Sequence, residues 1–95
     1  MNTTILSKLK KATKIYKKYN IDNIYLVGSY SRWEETNESD VDLYLKTKEF
    51  LDIYKYMNLK FELEKELWKK VDLIMDNNLK SWVREILLKD LILIK

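Results

Sequence analysis

The 95-residue chain has no cysteine, no histidine and no proline, and it spends a single glycine. Without cysteine there is no disulfide framework and no thiolate metal site. The absence of histidine removes Ser-His-Asp triads, Cys-His pairs and imidazole-bound zinc. Carboxylates, hydroxyls, lysine and arginine remain for chemistry, and any metal must be held by oxygen, which suits Mg²⁺ or Mn²⁺. Long apolar runs are missing too. No window approaches the ~18 uninterrupted apolar residues of a membrane span, and the opening MNTTILSKLKK lacks a signal-peptide core. The expectation is a soluble, cytoplasmic protein with no membrane partner. The formal net charge of +3 is compatible with a phosphorylated substrate or a nucleic acid and diagnostic of neither.

What is present argues for a folded globule rather than a disordered tail: 46% of residues are hydrophobic and 13% aromatic. Residues 1–95 are read as one small domain. Chains of this size bury about 60 to 70% of their unfolded surface, enough for an adequate core. With glycine and proline scarce, turns fall to Asn and Asp clusters. YNIDN (19–23), ETNESD (35–40) and MDNN (75–78) are the candidates.

Apolar residues at Ile5, Leu9, Ala12, Tyr16 and Tyr19 predict a first helix from about Thr4 to Tyr19. NIYLV (23–27) reads as a strand ending at Gly28, and VDLYLK (41–46) alternates like a second. Leu51, Tyr54, Met57, Leu59, Leu63 and Leu67 predict a helix from about Lys48 to Trp68. VDLIM (71–75) reads as a strand, about Leu79 to Leu88 as a helix, and LILIK as a last strand. With a short helix after Gly28, this order gives an α+β chain: a small mixed sheet packed by helices.

Asp40 and Asp42 lie two apart at the start of the second strand, so both project to one face while Val41, Leu43 and Leu45 turn to the core. Like charges that close repel unless a cation lies between them. Taken alone, the pair reads more simply as a solvated strand face. Asp72 strengthens the metal reading: if VDLIM pairs beside residues 41–46, a third carboxylate joins the first two. Three carboxylates on one face could hold two Mg²⁺ ions, one activating a hydroxyl and the other clamping phosphates.

Gly28-Ser29 supplies a complementary half. A strand ending in glycine lets backbone approach a phosphate closely, and Ser29 at a helix N-terminus would donate to its oxygens. A plain turn and helix cap is the competing reading, and Ser31-Arg-Trp-Glu34 fits a capping box. Arg32 can pair with a phosphate or stand as an exposed structural residue.

Gly-Ser, ten residues, Asp-x-Asp and a later aspartate in an apolar strand form a specific combination. GSYSRWEETNESDVDLYL resembles the signature of the nucleotidyltransferase superfamily related to DNA polymerase β, in its minimal single-domain form. KKVDLIM is similar to the strand bearing that family's third carboxylate, and LKSWVREILLKDLILIK to the end of such domains. The resemblance implies the nucleotidyltransferase fold. It implies that Asp40 and Asp42 bind both metal ions, that Asp72 binds the one activating the acceptor hydroxyl, and that Gly28 and Ser29 cradle the β- and γ-phosphates, with Arg32 on the phosphate side. The implied cofactor is a pair of Mg²⁺ ions, with Mn²⁺ as a substitute. The implied reaction transfers a nucleoside monophosphate, usually AMP from ATP, to a hydroxyl and releases pyrophosphate. Many minimal members are antitoxins of a helical HEPN-domain toxin, some adding AMP to a toxin tyrosine. One position departs from the pattern: Trp33 stands where the family commonly has glycine.

Other readings stay open beside this one: a non-catalytic antitoxin that neutralises by docking, an AMP transferase for a small molecule or tRNA end, and an RNA binder. Lys8, Lys10, Lys11, Lys14, Lys17 and Lys18 read as a solvated helix face before an RNA surface. Tyr16, Tyr19, Tyr54 and Tyr56 are assigned mostly to packing or its rim. Trp82, Ile86 and LILI read as core and edge strand, with any uncovered part inviting a dimer or partner.

Overall fold

A computed structural model describes residues 3–36, 38–76 and 80–95. Its elements are α1 (Thr3–Lys11), α2 (Thr13–Lys18), β1 (Ile21–Val27), β2 (Val41–Thr47), α3 (Ile53–Leu67), β3 (Val71–Met75), α4 (Ser81–Leu87) and β4 (Ile92–Leu93), with a 3-10 turn at Leu88–Asp90. The strands form one mixed sheet in the order β3-β2-β1-β4. β1 runs antiparallel to both β2 and β4, while β2 and β3 are parallel. Parallel neighbours need a crossover, and α3 provides it.

Alternation sets the layers. Val41, Leu43 and Leu45 of β2, Val71, Leu73 and Met75 of β3, and Ile24 and Leu26 of β1 share one buried cluster with Ile5, Leu9, Tyr16, Leu59, Leu63 and Leu67 from the helices. Full burial of each such leucine contributes about 1.5–3 kcal/mol, so α3 is held mainly by its 59/63/67 stripe. The helix opens on Asp52, whose carboxylate accepts the Lys55 N–H at 2.8 Å, and closes on Trp68 in the left-handed conformation.

Four expectations change. α3 begins at Ile53 rather than about Lys48, after the Asp52 cap, and Trp82 and Ile86, read as core, are 61% and 62% exposed. The first helix is broken at Ala12 (ψ 33°), and the buried Tyr16 hydroxyl donates to the Leu9 carbonyl at 2.6 Å, satisfying a group beside the break. Burial pushes the Tyr16 hydroxyl pKa up. The short helix expected after Gly28 is absent: residues 28–33 form turns. The Ser31 hydroxyl donates to the Gly28 carbonyl (2.8 Å) and the Glu34 N–H to the Ser29 carbonyl (2.9 Å), so the Ser31–Glu34 pattern closes a turn rather than capping a helix. The expected turn at 75–78 and the predicted helix start at Leu79 fall largely outside the described residues. Asn20, at the first expected turn, takes φ +54°, which asparagine tolerates.

α3 also guards the sheet edge. Its Glu64 carboxylate accepts the Val71 N–H (3.0 Å), and its Tyr56 hydroxyl donates to the Leu73 carbonyl (3.0 Å). Side chains thus occupy backbone groups on an edge strand that would otherwise template further pairing. None of the described helices is long and apolar enough to cross a membrane.

Candidate active site

The end of β1 and the starts of β2 and β3 meet at one end of the sheet. Val27 pairs with Asp42 across the antiparallel ladder, and Asp42 pairs with Asp72 across the parallel one. Paired residues share a face, so the two aspartates stand side by side, one strand spacing apart. The expectation that Asp72 joins Asp42 is met by strand register. Asp40 precedes β2 on the loop, is exposed, and is near enough for its charge to act on Asp42. The β2 start is tied down by the Val41 N–H donating to the Lys70 carbonyl at 2.9 Å.

Gly28 follows at φ +75°, a conformation that side-chain-bearing residues rarely adopt. A second reason for glycine is spatial. A Cβ built there would lie 2.5 Å from Oδ2 of Asp42, inside any real contact distance. The single glycine of the chain therefore keeps space open beside a carboxylate oxygen. Beyond it, Tyr30 is buried in the core cluster and anchors the turn, while Arg32 pairs with Glu34 through Nε–Oε2 at 3.2 Å, both exposed. Trp33 takes φ +58°, the left-handed geometry in which glycine is at ease, and it is 42% exposed. A Thr36–Ser39 turn, closed by the Thr36 N–H donating to the Ser39 hydroxyl (2.8 Å), delivers the chain to Asp40.

The electrostatics follow from this crowding. Partial burial pushes the Asp42 pKa above the ordinary carboxylate value, the charges of Asp72 and Asp40 push the same way, and Arg32 opposes them. Like charges are thus held together here. Among the described residues, no three Asp or Glu side chains already converge closely enough to hold a metal ion.

The candidate set leaves out two residues at or near this end. Tyr44, two positions after Asp42 on the same face, is fully buried between Tyr25 and Ile74, and its hydroxyl has no hydrogen-bond partner among the described residues. Its place in the Asp-x-Tyr alternation was the available signal. Trp68, in the loop into β3, is 87% exposed at φ +56°; sequence periodicity carries no sign of that.

Comparison with known proteins gives the family. A Methanocaldococcus jannaschii relative, "Putative protein adenylyltransferase MJ1379", is 40% identical over 88 residues, covering 88% of each chain. Protein adenylyltransferase MntA of Thermococcus cleftensis is 32% identical over 89 residues, 94% of this chain and 88% of the relative. The fold is similar to that in the structure of a tri-AMPylated Shewanella oneidensis HEPN toxin in complex with MNT antitoxin, with TM-score 0.73 at 20% identity over 96% of this chain and 71% of the other. The family described as "Polymerase beta, Nucleotidyltransferase" matches residues 10–95, and the chain belongs to it.

Proposed function

We propose that this chain transfers AMP from ATP to a hydroxyl of a partner protein, a HEPN-domain toxin that it neutralises in the cytoplasm, with residues 1–95 acting as one minimal nucleotidyltransferase domain. The observation that carries this reading is the pairing of Asp42 with Asp72 directly opposite the end of β1, where Gly28 leaves room. Relatives named protein adenylyltransferase support the AMP group, and a neighbour structure holding an AMPylated HEPN toxin supports the acceptor.

The residues fit a pair of divalent cations. Asp40, Asp42 and Asp72 offer only oxygen donors, which selects Mg²⁺ or Mn²⁺. The charge conflict at Asp42 is one that a cation relieves. Asp40 and Asp42 would hold both ions and Asp72 one of them, with Asp40 turning in from its loop. The chemistry supplied on binding is charge neutralisation at phosphate oxygens and a more acidic acceptor hydroxyl.

The chain's own residues do the rest. Gly28 lets the turn backbone approach the β- and γ-phosphates, and the Ser29 hydroxyl donates to their oxygens; backbone turns take the place of the helix N-terminus expected there. Arg32, released from Glu34, pairs with the phosphate charge. The acceptor oxygen forms a bond to the α-phosphorus as the bond to the β-phosphate oxygen breaks. Pyrophosphate leaves, and the hydroxyl proton departs toward Asp72. Phosphates lie on the β1 side and the acceptor approaches from the β3 side.

The test is label transfer from α-labelled ATP with Mg²⁺ to a HEPN-domain partner. Label is expected on the partner, reduced on the order of 10³-fold or more by Asp42→Asn. No transfer from any NTP, with neutralisation unchanged in Asp42→Asn, replaces this reading by docking alone. Label on RNA or a small molecule replaces the acceptor.

A further inference from the structure

Strand register lays two rows side by side across the sheet face that bears the carboxylates. Val27, Asp42 and Asp72 form the first, and Leu93, Tyr25, Tyr44 and Ile74 the second. Tyr44 therefore stands one pleat along β2 from Asp42, on the same face. It is fully buried, and its ring packs on that of Tyr25 with 5.9 Å between centroids.

Packing explains the ring and leaves the hydroxyl over. A phenylalanine would fill the same space without burying an unpaired donor, which is costly. Other tyrosines of the chain avoid that cost. The Tyr16 hydroxyl donates to the Leu9 carbonyl at 2.6 Å and the Tyr56 hydroxyl to the Leu73 carbonyl at 3.0 Å. The buried Tyr44 hydroxyl has no such partner among the described residues, and a buried polar group of this kind calls for one.

An acceptor in need of a donor lies one pleat away. The Asp42 carboxylate is partly buried, and no described residue donates a hydrogen bond to it. Gly28 keeps space open beside its Oδ2. Two residues of a strand span about 6.6 Å, a gap that a tyrosine leaning along its strand can cover. Donor and acceptor are complementary in chemistry and adjacent in the fold.

We propose that Tyr44 is a positioning residue for the metal site: its hydroxyl donates to the Asp42 carboxylate, directly or through one buried water, and holds it in the orientation that binds the cation. Carboxylates that ligate metals are themselves hydrogen-bonded, and loss of such an outer partner costs 10- to 100-fold in affinity or activity. The hydroxyl stays protonated throughout. The inference rests on reading Asp42 as a metal ligand, and on nothing about the acceptor.

The experiment titrates Mn²⁺ alone into the wild-type chain, Tyr44→Phe and Asp42→Asn, with free Mn²⁺ read by electron paramagnetic resonance and melting temperatures taken before metal is added. Tyr44→Phe keeps the ring and its packing. It is expected to melt no lower than wild type without metal, while its Kd for Mn²⁺ rises about tenfold or more. An unchanged Kd overturns the proposal. So does a lower metal-free melting temperature, because the hydroxyl would then serve the fold itself. Carbon-13 at tyrosine Cζ gives a second readout that a packing role would not move. The resonance missing from Tyr44→Phe should shift when Mg²⁺ is added to wild type and stay in place in Asp42→Asn; a resonance indifferent to Mg²⁺ in wild type overturns the proposal. The two failures are distinguishable. Mn²⁺ bound by wild type and lost in Asp42→Asn, with Tyr44→Phe unaffected, removes the role of Tyr44 and leaves the metal site standing. Mn²⁺ binding absent from wild type, or equal in Asp42→Asn, removes the metal site and the role of Tyr44 with it.

Discussion

On the helix-covered face of the sheet, Ile24, Leu43 and Leu73 share one buried cluster with Leu59 and Leu63. Every local preference agrees there: strand alternation, helix spacing, capping and burial. At one end of the same strands, Gly28, Trp33 and Trp68 take positive φ and Asp42 is held among other carboxylates. These arrangements oppose stability, and the consistent face supports them. Among the described residues only Asn20 takes positive φ away from this end, and local conflict concentrated in one place is a pointer to function.

Leu63→Ala and Gly28→Ala separate the two regions. Leu63 is fully buried, so its truncation should lower stability by about 2–4 kcal/mol while the folded fraction keeps its transfer rate. Gly28→Ala should behave in reverse. Its strain at φ +75° costs about 1–2 kcal/mol, but the new Cβ meets the mobile end of Asp42, which yields by turning. The carboxylate is then misplaced, and transfer should fall on the order of 10²-fold. Denaturant unfolding and labelling of the same two proteins give both numbers. Equal transfer per folded molecule in the two variants would break the comparison.

Asp42 makes a smaller, pH-dependent statement. Its folded pKa is raised, so between its unfolded and folded values the native state binds more protons than the unfolded one. The metal-free chain should therefore lose stability as pH rises through that window, from about pH 4 upward. The loss should be small, since Asp42 is only partly buried and water screens it. Asp42→Asn should flatten the dependence and be the more stable protein at pH 7 without metal. Adding Mn²⁺ should raise the wild-type melting temperature and leave that of Asp42→Asn in place. A wild-type chain that gains stability over the same pH rise, with no gain in Asp42→Asn, would reverse the assigned sign.

Much of this contrast was legible in the residues themselves. The alternation in VDLYLK and VDLIM fixes which side chains face inward, and the Asp-x-Asp spacing follows from it. That Asp72 pairs with Asp42 depends on a parallel register across α3, which local spacing leaves open. The break at Ala12 carries no glycine or proline to mark it. The Ser31–Glu34 pattern matches a cap, yet the Glu34 N–H closes a turn on Ser29, and the two outcomes use the same residues. In α3, Tyr54 and Met57 share helical spacing with the leucines. Periodicity finds apolar stripes without saying which one turns inward: Tyr54, read as packing or its rim, is 80% exposed.

Trp68 gives the smallest effect and the sharpest division of cost from use. It ends α3 in the left-handed conformation, its N–H donating to the Glu64 carbonyl at 2.8 Å. This is the position where glycine is preferred, and a side chain 87% exposed contributes little burial to lose. Trp68→Gly should therefore stabilise the chain by roughly 0.5–1 kcal/mol, the relief of strain being partly offset by the freer unfolded chain. If the indole contacts the acceptor, the same change should weaken partner binding several-fold and leave ATP binding alone. Opposite signs in one variant would show a residue kept against the preference of the fold. A variant that gains stability and loses no affinity would return Trp68 to the surface as an unused side chain.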